Sequence, residues 1–458
     1  MNVFALELDD RAVSLAREGV LLSSAPSAVF AGTTGVEAGV NAWRELRARP
    51  TSTSSRHLGA VLTQRGLSAR SESLLVAELK FRIAQQPPRA DERIWIVTPA
   101  RVEPKGLEAL LVIARTLELP VDGFVDAATL TAAALGSERN AIVLELGLHH
   151  AAATAIDRDA GQIRRRRTVV TERGGLIELR QAWLELISTT MVKRTRFDPL
   201  HEAATEQQLF DAMPALTRAA AGTGTAAAVV LKGQEEFEVA LTRDQFAQAA
   251  DPIYRAIVAL LHQLRPAGSR CDIVIPQQAA DLPGLRTLLE QFVGCDLVSV
   301  PDGFAAVAAT ILDLPARTDA DAVRMLRRLP ALAQMSPAQT VAREELGKHR
   351  SSGPAPSHVL LDGRAYPLST ESLVVGRALG AVQLPDGLAG VSRRHCTFVR
   401  DGEEIILLDH SSFGTFVNGE RVHERVRVHA GDRVRLGEPG VELALIAVGE
   451  VTAAAQQS

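Results

Sequence analysis

Aromatic residues are scarce in this sequence of 458 residues, at 4%, although hydrophobic residues make up 46%. Alanine, leucine and valine must therefore pack the cores, and a chain of this length is expected to form two or three domains rather than one. Neither positive nor negative charge predominates, since the net charge is −4. Composition therefore gives no argument for a nucleic-acid partner or a membrane surface.

Cysteine and long apolar runs are rare as well. Cys271, Cys295 and Cys396 are far apart in the sequence and match no metal-ligand spacing, which predicts no metal site and favours a reducing compartment. No apolar run reaches the ~18–20 residues of a membrane span, and the N terminus does not show the pattern of a signal peptide. We therefore expect a cytoplasmic protein without a membrane span.

Three polar motifs lie close together near the C terminus, between segments with the pattern of strands. They are Val-Gly-Arg at 375–377, Val-Ser-Arg-Arg-His-Cys at 391–396 and Asp-His-Ser-Ser-Phe-Gly-Thr-Phe-Val-Asn-Gly at 409–419. The apolar residues around them alternate with polar ones between turn residues, which is typical of a small all-β sandwich. The three motifs are therefore predicted to lie in loops at one end of such a sandwich.

The side chains in these motifs indicate a site for an oxyanion. Arg377 offers a planar, permanently charged guanidinium, and Arg393 adds a second positive charge. Ser392 and Ser412 can donate hydroxyl hydrogen bonds. No residue here has the form of a nucleophile with a partnered base, so we expect binding without hydrolysis. Ordinary turn chemistry explains any one of the motifs more simply, but all three in this order favour a binding site.

The segment from His358 to Glu450 resembles a forkhead-associated (FHA) domain, a β-sandwich that binds phosphothreonine. The resemblance rests on the Gly-Arg, Ser-x-x-His and Ser-Ser-x-Gly-Thr-x-x-Asn-Gly motifs quoted above. It implies that Arg377 and Ser392 contact the phosphate. It also implies that Ser412 adds a further hydroxyl and that Arg393 faces the phosphate or the peptide.

The same resemblance implies structural roles for other residues of the binding loops. These residues are Gly376, His395, Gly414, Thr415, Asn418 and Gly419. One position departs from the family pattern, because Phe413 stands where many members carry an asparagine that contacts the peptide backbone. The usual selection of residues after the phosphothreonine is therefore not implied for this chain.

Residues 1–315 contain two successive sets of strands followed by helices, which predicts a duplicated α/β architecture. The order of segments resembles the ATPase domain of the actin and heat-shock chaperone superfamily. Residues 4–15 and 141–156 occupy the places of the two phosphate loops, and residues 271–312 resemble the adenosine side. The resemblance also covers residues 95–136 and the Gly-Gly turn of residues 171–175.

The resemblance implies a nucleotide cleft that is vestigial in this chain, with Glu7, Asp9, Glu145, Gly147, Gly174 and Gly175 as its residues. Glu7 and Glu145 take the acidic positions. Asp9 and Asp10, however, replace the Gly and Thr of the first loop, and two carboxylates would repel a polyphosphate.

The second phosphate loop and the adenosine side also depart from the family. Leu148 and His149 replace glycines that let the backbone approach phosphates, and Gln277-Gln278 replaces the usual glycine pair. Together these departures predict a pseudo-ATPase with no cofactor. The retained alternative is an active chaperone-like ATPase that uses ATP and magnesium through Glu7 and Glu145 and is regulated by phosphopeptide binding.

Residues 316–357 are interpreted as a partly helical linker, with helices expected over 320–332 and 340–349, and residues 451–458 as a tail. The Ser-Ser-Gly-Pro-Ala-Pro-Ser segment at 351–357 has the composition of a flexible tether. A plain linker is the simpler interpretation. A phosphorylated Thr340, or a phosphorylated residue of the 51–55 loop, would be an internal ligand for the same pocket.

The sequence as a whole predicts a phosphorylation-dependent adaptor. Residues 358–450 bind a threonine-phosphorylated protein, which implies a serine/threonine kinase, and residues 1–315 supply a second interaction surface or an assembly platform. Besides the regulated ATPase, a scaffold whose sandwich has lost phosphate binding stays open. The intact Arg377 and Ser392 argue against that scaffold, and the altered phosphate loops argue against the ATPase.

Overall fold

The computed structural model describes most of the chain, in the following ranges: 2–32, 35–136, 139–159, 161–265, 270–315, 323–330, 355–361, 364–368, 372–377, 382–384, 390–401, 404–417, 420–422, 425–430, 432–437 and 440–446. The chain divides into two units, Met1–Gly347 and Lys348–Ser458. Within the described ranges, no helix has both the length and the apolar character needed to cross a membrane.

The first half of the first unit combines a strand meander with helices. Its elements are β1 (Val3–Leu8), β2 (Val13–Arg17), β3 (Val20–Ala25), β4 (Val29–Gly32), β5 (Gly35–Ala38), α1 (Val40–Arg44), β6 (Thr53–Ser54), α2 (His57–Thr63), α3 (Ala69–Gln85), β7 (Arg93–Thr98), α4 (Pro104–Thr116), β8 (Val121–Asp126) and α5 (Ala127–Leu135). Strand β1 is apolar at nearly every position, as expected for a strand that is covered on both faces.

The second half has a similar succession of elements. They are β9 (Ala141–Leu146), β10 (Ala151–Asp159), β11 (Gln162–Thr171), α6 (Leu176–Thr195), α7 (Ala203–Thr223), β12 (Thr225–Lys232), β13 (Glu235–Thr242), α8 (Arg243–Leu264), β14 (Cys271–Pro276), α9 (Gln277–Ala280), α10 (Leu285–Leu289), β15 (Cys295–Val300), α11 (Phe304–Ile311), β16 (Arg324–Leu326) and β17 (Arg328–Pro330).

The two large sheets of this unit share the topology of five strands, and their sixth strands, β16 and β17, lie at opposite edges. Their strand orders are β16-β8-β7-β1-β2-β3 and β15-β14-β9-β10-β11-β17. In each sheet an antiparallel meander of three strands is extended by two parallel strands beside its first strand. The predicted duplication of an α/β arrangement is therefore present in the order and direction of the strands.

Two alanine-rich helices pack between these sheets. Helices α5 and α11 are buried around most of their surface, and their small side chains allow close approach to each other and to the strands. Asp126 is the N-cap residue of α5, since its carboxylate accepts a hydrogen bond from the backbone N–H of Thr129 at 2.9 Å. These helices support the loops that follow β1 and β9.

The prediction of a helix over residues 320–332 is wrong. Arg324–Leu326 and Arg328–Pro330 are short strands, and each occupies an edge of one large sheet. β16 runs parallel to β8, whereas β17 runs antiparallel to β11. The sheet edges offer unpaired backbone groups, and pairing with them outweighs the helical propensity of this segment. The helix expected over 340–349 lies outside the described residues.

The second unit is a β-sandwich. Its strands are β18 (His358–Leu361), β19 (Arg364–Pro367), β20 (Leu373–Gly376), β21 (Val382–Gln383), β22 (Cys396–Asp401), β23 (Glu404–Asp409), β24 (Thr415–Val417), β25 (Glu420–Arg421), β26 (Arg425–Val428), β27 (Arg433–Leu436) and β28 (Val441–Ile446). They form two sheets with the orders β19-β18-β28-β27-β24-β25 and β21-β20-β22-β23-β26. Alternate valine and leucine side chains of both sheets form one core, as in other sandwiches.

Candidate functional site

Arg377 follows β20 directly, and the loop that carries Ser392 fixes its position. The backbone N–H of Arg377 donates to the carbonyl oxygen of Ser392 at 3.1 Å. Gly376 permits this approach, because a Cβ there would lie only 2.1 Å from the carbonyl oxygen of Arg393. The Nε of Arg377 is buried and has no hydrogen-bond partner among the described residues. The residue as a whole is half-buried, so an oxyanion would be bound by the terminal nitrogens of its permanently charged guanidinium.

The ring of His395 joins the two loops of the site. Its Nδ1 accepts from the backbone N–H of Ser392 at 3.0 Å, and its Nε2 lies 3.1 Å from the carbonyl oxygen of Gly414. Because Nδ1 faces an N–H, the proton of the neutral ring belongs on Nε2, which donates to Gly414. Burial lowers the pKa of His395, which keeps the ring in this neutral form.

Ser392 and Ser412 are brought together across the two loops. The backbone N–H of Ser412 donates to the Oγ of Ser392 at 3.1 Å. Since the Ser392 oxygen is the acceptor in this bond, its hydroxyl proton is free to be donated to a ligand. Ser412 and Arg393 are exposed. Hydrogen bonds of Ser392 to Arg377 and to Ser412 therefore hold these three residues together, and Arg393 follows Ser392 in the same loop.

A half-buried carboxylate orders the loop that follows β23. Asp409 Oδ1 accepts from the backbone N–H and the hydroxyl of Ser411, at 2.9 and 2.6 Å, and from the hydroxyl of Thr415 at 2.7 Å. Burial opposes ionisation, but these hydrogen bonds lower the pKa of Asp409. Gly414 has a φ of +85°, a value that favours glycine. Asn418 and Gly419 lie outside the described residues.

Arg421 is a basic residue of this site that the three motifs do not include. Its partner in the register of β24 and β25 is Phe416. A Cβ on Gly414 would lie 3.0 Å from the Nε of Arg421, so this guanidinium lies beside the loop that carries Ser412. Arg421 is exposed and makes no salt bridge with any described residue. The Asn-Gly pair at 418–419 is the sequence signal, because such a turn returns the chain alongside β24.

The suggested internal ligands differ in accessibility. Thr340 lies outside the described residues. In the 51–55 loop, Thr51 is exposed, whereas Thr53 and Ser55 are only 8% and 7% exposed. Their hydroxyls bond to the carbonyl oxygen of Arg49 and to the ring of His149. Phosphorylation of either residue would therefore require this loop to leave its place.

In the first unit, Glu7, Asp9 and Glu145 line a common cavity between the loops that follow β1 and β9. The cavity has a volume of about 70 Å³. Small-molecule sites usually occupy about 300–1,000 Å³. The space directly beside these carboxylates therefore holds a few water molecules, and a larger cavity of about 380 Å³ beside Gln277 and Gln278 also contacts Pro301. Within the described ranges, no three His, Cys, Asp or Glu side chains group as a metal site.

Asp10 links the two loops that border this cavity. Its Oδ1 accepts from the backbone N–H of Leu148 at 2.9 Å, and its Oδ2 lies 3.1 Å from Nδ1 of His150 and 3.3 Å from a nitrogen of Arg101. Burial opposes ionisation, but His150 and Arg101 hold the pKa of Asp10 far below its usual range. A loop amide that could bind an anion thus already binds a carboxylate of the same chain.

The other carboxylates of the cleft have the opposite shift. Burial raises the pKa of Glu7 to about 7, with the nearby Asp9 as the next cause. Burial likewise raises the pKa of Asp9 to about 6, and burial together with Asp126 raises the pKa of Glu145 to about 8. Backbone N–H groups of Ala306 and Ala100 donate to Glu7 and Glu145. These groups connect the two halves of the unit across the cleft.

The three glycines expected in the cleft also contact protein groups. A Cβ on Gly147 would lie 2.4 Å from Oδ1 of Asp10 and 2.3 Å from the His150 ring. A Cβ on Gly175 would lie 2.4 Å from the carbonyl oxygen of Leu148, and one on Gly174 would lie 2.7 Å from Cβ of Ala151. The space beside each of these glycines is occupied by the protein itself.

Comparison with known families identifies the sandwich. The FHA domain model matches residues 373–437, which include both loops of the site. No curated protein matches the chain. The second unit therefore contains an FHA domain, and FHA domains bind phosphothreonine-containing proteins. The match does not extend to the first unit, whose resemblance to the actin and chaperone ATPases stays a prediction.

Glu145→Gln is expected to flatten the pH dependence of stability of the first unit. The pKa of Glu145 is raised from 4.5 to about 8, so the folded state keeps a proton that the unfolded chain releases. Stability from this group is complete below pH 4.5 and is lost as the pH rises to about 8. Near pH 8 the variant should therefore be more stable than the natural protein by at least ~1 kcal/mol.

Urea denaturation at pH 5 and pH 8 measures this difference. Trp43, Trp95 and Trp183 are all in the first unit, so tryptophan fluorescence reports its unfolding. Glu108→Gln is the control, because Glu108 is an exposed side chain of α4. Equal pH slopes for the natural protein and Glu145→Gln would contradict the assignment.

Proposed function

We propose that this protein is an adaptor that binds a threonine-phosphorylated protein through its FHA domain. The observation that carries the proposal is the convergence of Arg377 and Ser392. The backbone N–H of Arg377 donates to the carbonyl oxygen of Ser392, which holds the two residues on adjoining backbone segments. The Ser392 Oγ accepts a backbone N–H, which leaves its hydroxyl proton to be donated. A permanent positive charge and an available hydroxyl proton on adjoining segments fit a phosphate group better than a neutral hydroxyl.

The number of contacts indicates a moderate affinity. Charge-assisted hydrogen bonds contribute about 1.5–3 kcal/mol each. Two or three of them must offset the ordering of the peptide and the loss of translational freedom. A net binding free energy of about 7–8 kcal/mol corresponds to a low-micromolar Kd. Such an interaction is readily reversed, which suits a partner whose phosphate a kinase adds and a phosphatase removes.

We further propose that the first unit is a nucleotide-deficient scaffold with an ATPase-like architecture. The support is the contact between the two loops, where the carboxylate of Asp10 accepts the backbone N–H of Leu148 and leaves only about 70 Å³ beside Glu7 and Glu145. The duplicated sheets would then serve as a rigid platform for a second partner. The rival function, an active ATPase regulated by the FHA domain, requires these contacts to break before nucleotide binds.

Substitution of Arg377 by alanine is expected to weaken phosphopeptide binding by about 10- to 100-fold, since one charge-assisted pair contributes about 1.5–3 kcal/mol. Ser392→Ala should cost about tenfold. A phosphothreonine peptide library selects the tightest sequence, and fluorescence anisotropy of that peptide then measures Kd. Arg427→Ala is the matched control, because Arg427 is exposed and paired with Glu404 on β23.

The unphosphorylated form of the selected peptide completes this test. It should show no saturable binding to the natural protein. Equal affinity for the two forms, or full affinity of Arg377→Ala, would exclude phosphate recognition by this pocket.

Arg421 is expected to favour peptides with an acidic residue near the phosphothreonine. Its guanidinium lies beside Gly414 and has no salt bridge to a described residue, so it can pair with a carboxylate of the ligand. Exposed pairs contribute up to about 1 kcal/mol. Arg421→Ala should therefore weaken binding of an acidic-flanked phosphopeptide about threefold and leave a glycine-flanked one unchanged. An equal loss for both peptides would assign Arg421 a structural role.

ATP with magnesium is expected to leave the thermal unfolding of the first unit unchanged. The reason is the self-occupied cleft around Asp10 and His150. Tryptophan fluorescence with and without millimolar nucleotide provides the measurement, with the phosphothreonine peptide as a ligand of the second unit only. A rise in Tm that Glu7→Ala removes would instead support the ATPase.

A further inference from the structure

Two of the three free cysteines are neighbours in the first unit. Cys271 and Cys295 are the first residues of β14 and β15, which run parallel and pair these two positions in register. Their Sγ atoms are 2.9 Å apart. Adjacent strands lie about 4.8 Å apart, within the Cα separation that a disulfide spans. The sulfurs need to move by less than about 1 Å to reach bonding distance.

The pair does not have the surroundings of a metal site. No group of three metal-binding side chains includes these cysteines among the described residues. The next residues along the strands, Asp272 and Asp296, project to the opposite face by the alternation of a strand. Both of these carboxylates lie near Arg139, at 3.8 Å for Asp272. Among the described residues, the sulfur that each of these two thiols contacts is therefore that of the other.

The two sulfurs also differ in access. Cys271 is 2% exposed, whereas Cys295 lies on the edge strand of its sheet and is partly exposed. A soluble oxidant thus meets Cys295 first. Burial and the neighbouring thiol raise the pKa of Cys271 to about 12, so this residue remains a protonated thiol beside its partner.

We propose that Cys271 and Cys295 form a redox-active pair that a small peroxide converts to a reversible disulfide. The inference is independent of phosphothreonine binding, because it rests on the first unit alone. It assigns a chemical modification to the sheet that carries one of the loops of the cleft.

The reaction balances with one peroxide. Cys295 loses its proton to water and attacks a peroxide oxygen, so that the S–O bond forms, the O–O bond breaks and hydroxide leaves. The sulfur is oxidised to sulfenic acid while the peroxide is reduced. Cys271 then attacks the Cys295 sulfur, an S–S bond replaces the S–O bond, and the displaced hydroxide leaves as water with the thiol proton of Cys271. Two thiols and hydrogen peroxide thus give a disulfide and two waters.

The disulfide would connect an edge strand covalently to the sheet interior. It closes a loop between positions 24 residues apart, and this loop contains α9 and α10. These two helices are short, and Gln277 and Gln278 of α9 border a larger cavity of about 380 Å³. Oxidation would therefore restrict the segment that forms one wall of that cavity.

Peptide mapping of the full chain tests the proposal directly. The native protein is treated with hydrogen peroxide, denatured in the presence of an alkylating agent so that buried thiols are also blocked, and digested with trypsin without reduction. Arg270, Arg286 and Arg317 place Cys271 and Cys295 in separate tryptic peptides. A linked pair, 271–286 joined to 287–317, is expected with a mass about 2 Da below the sum of its thiol peptides. Dithiothreitol should restore both thiols.

Matched variants test which of the three cysteines form the disulfide. Cys295→Ser and Cys271→Ser should each abolish the linked peptide, whereas Cys396→Ser should leave it unchanged, since Cys396 is buried in the second unit. Oxidation should also raise the Tm reported by tryptophan fluorescence, and Cys295→Ser should remove this rise. The proposal is overturned if peroxide yields only sulfinic acid at Cys295, if both thiols stay alkylatable, or if Cys396 links to either residue.

Discussion

The imidazole of His395 is the contact on which the binding end of the FHA domain depends. It is fully buried, and it holds the backbone of Ser392 on one side and that of Gly414 on the other. Besides this bridge, the two loops are joined by the backbone bond from His410 to His395 and by the contact between Ser412 and Ser392. The ring thus determines where the phosphate-facing hydroxyl stands, although no ring atom needs to touch a ligand. Gly376 completes the arrangement by admitting the second loop against β20.

In the first unit, hydrogen bonds also join two loops, but they fill the site that a ligand would otherwise occupy. In the second unit the hydroxyl proton of Ser392 is left for a ligand, whereas in the first unit the amide of Leu148 is satisfied by the carboxylate of Asp10. Removing that carboxylate would leave the buried partners of Asp10 unpaired, which is strongly destabilising. The two loop pairs therefore contrast in whether a hydrogen-donating group is satisfied internally.

The sequence predicts the binding loops better than the cleft. Arg377, Ser392 and His395 lie in motifs whose spacing survives any small shift of the strands, and the structure brings all three together. The three motifs do not predict the position of Arg421, because that position depends on the register of the hairpin formed by β24 and β25. Asp10 was expected to repel a ligand, but its actual partners, His150 and Leu148, come from a segment about 140 residues away, a pairing that local pattern does not contain. Edge pairing of residues 324–330 has the same non-local origin.

The course of the chain through β16 and β17 has a mechanical consequence. Only Arg327 separates these strands, yet they complete the edges of two different sheets. Tension transmitted from the C-terminal side would reach β17 first and β16 next, and each is joined to its sheet by a few backbone hydrogen bonds. The two short strands would thus detach from their sheets one after the other, before the longer central strands separate. The segment of residues 324–330 would therefore yield to tension before the rest of the unit does.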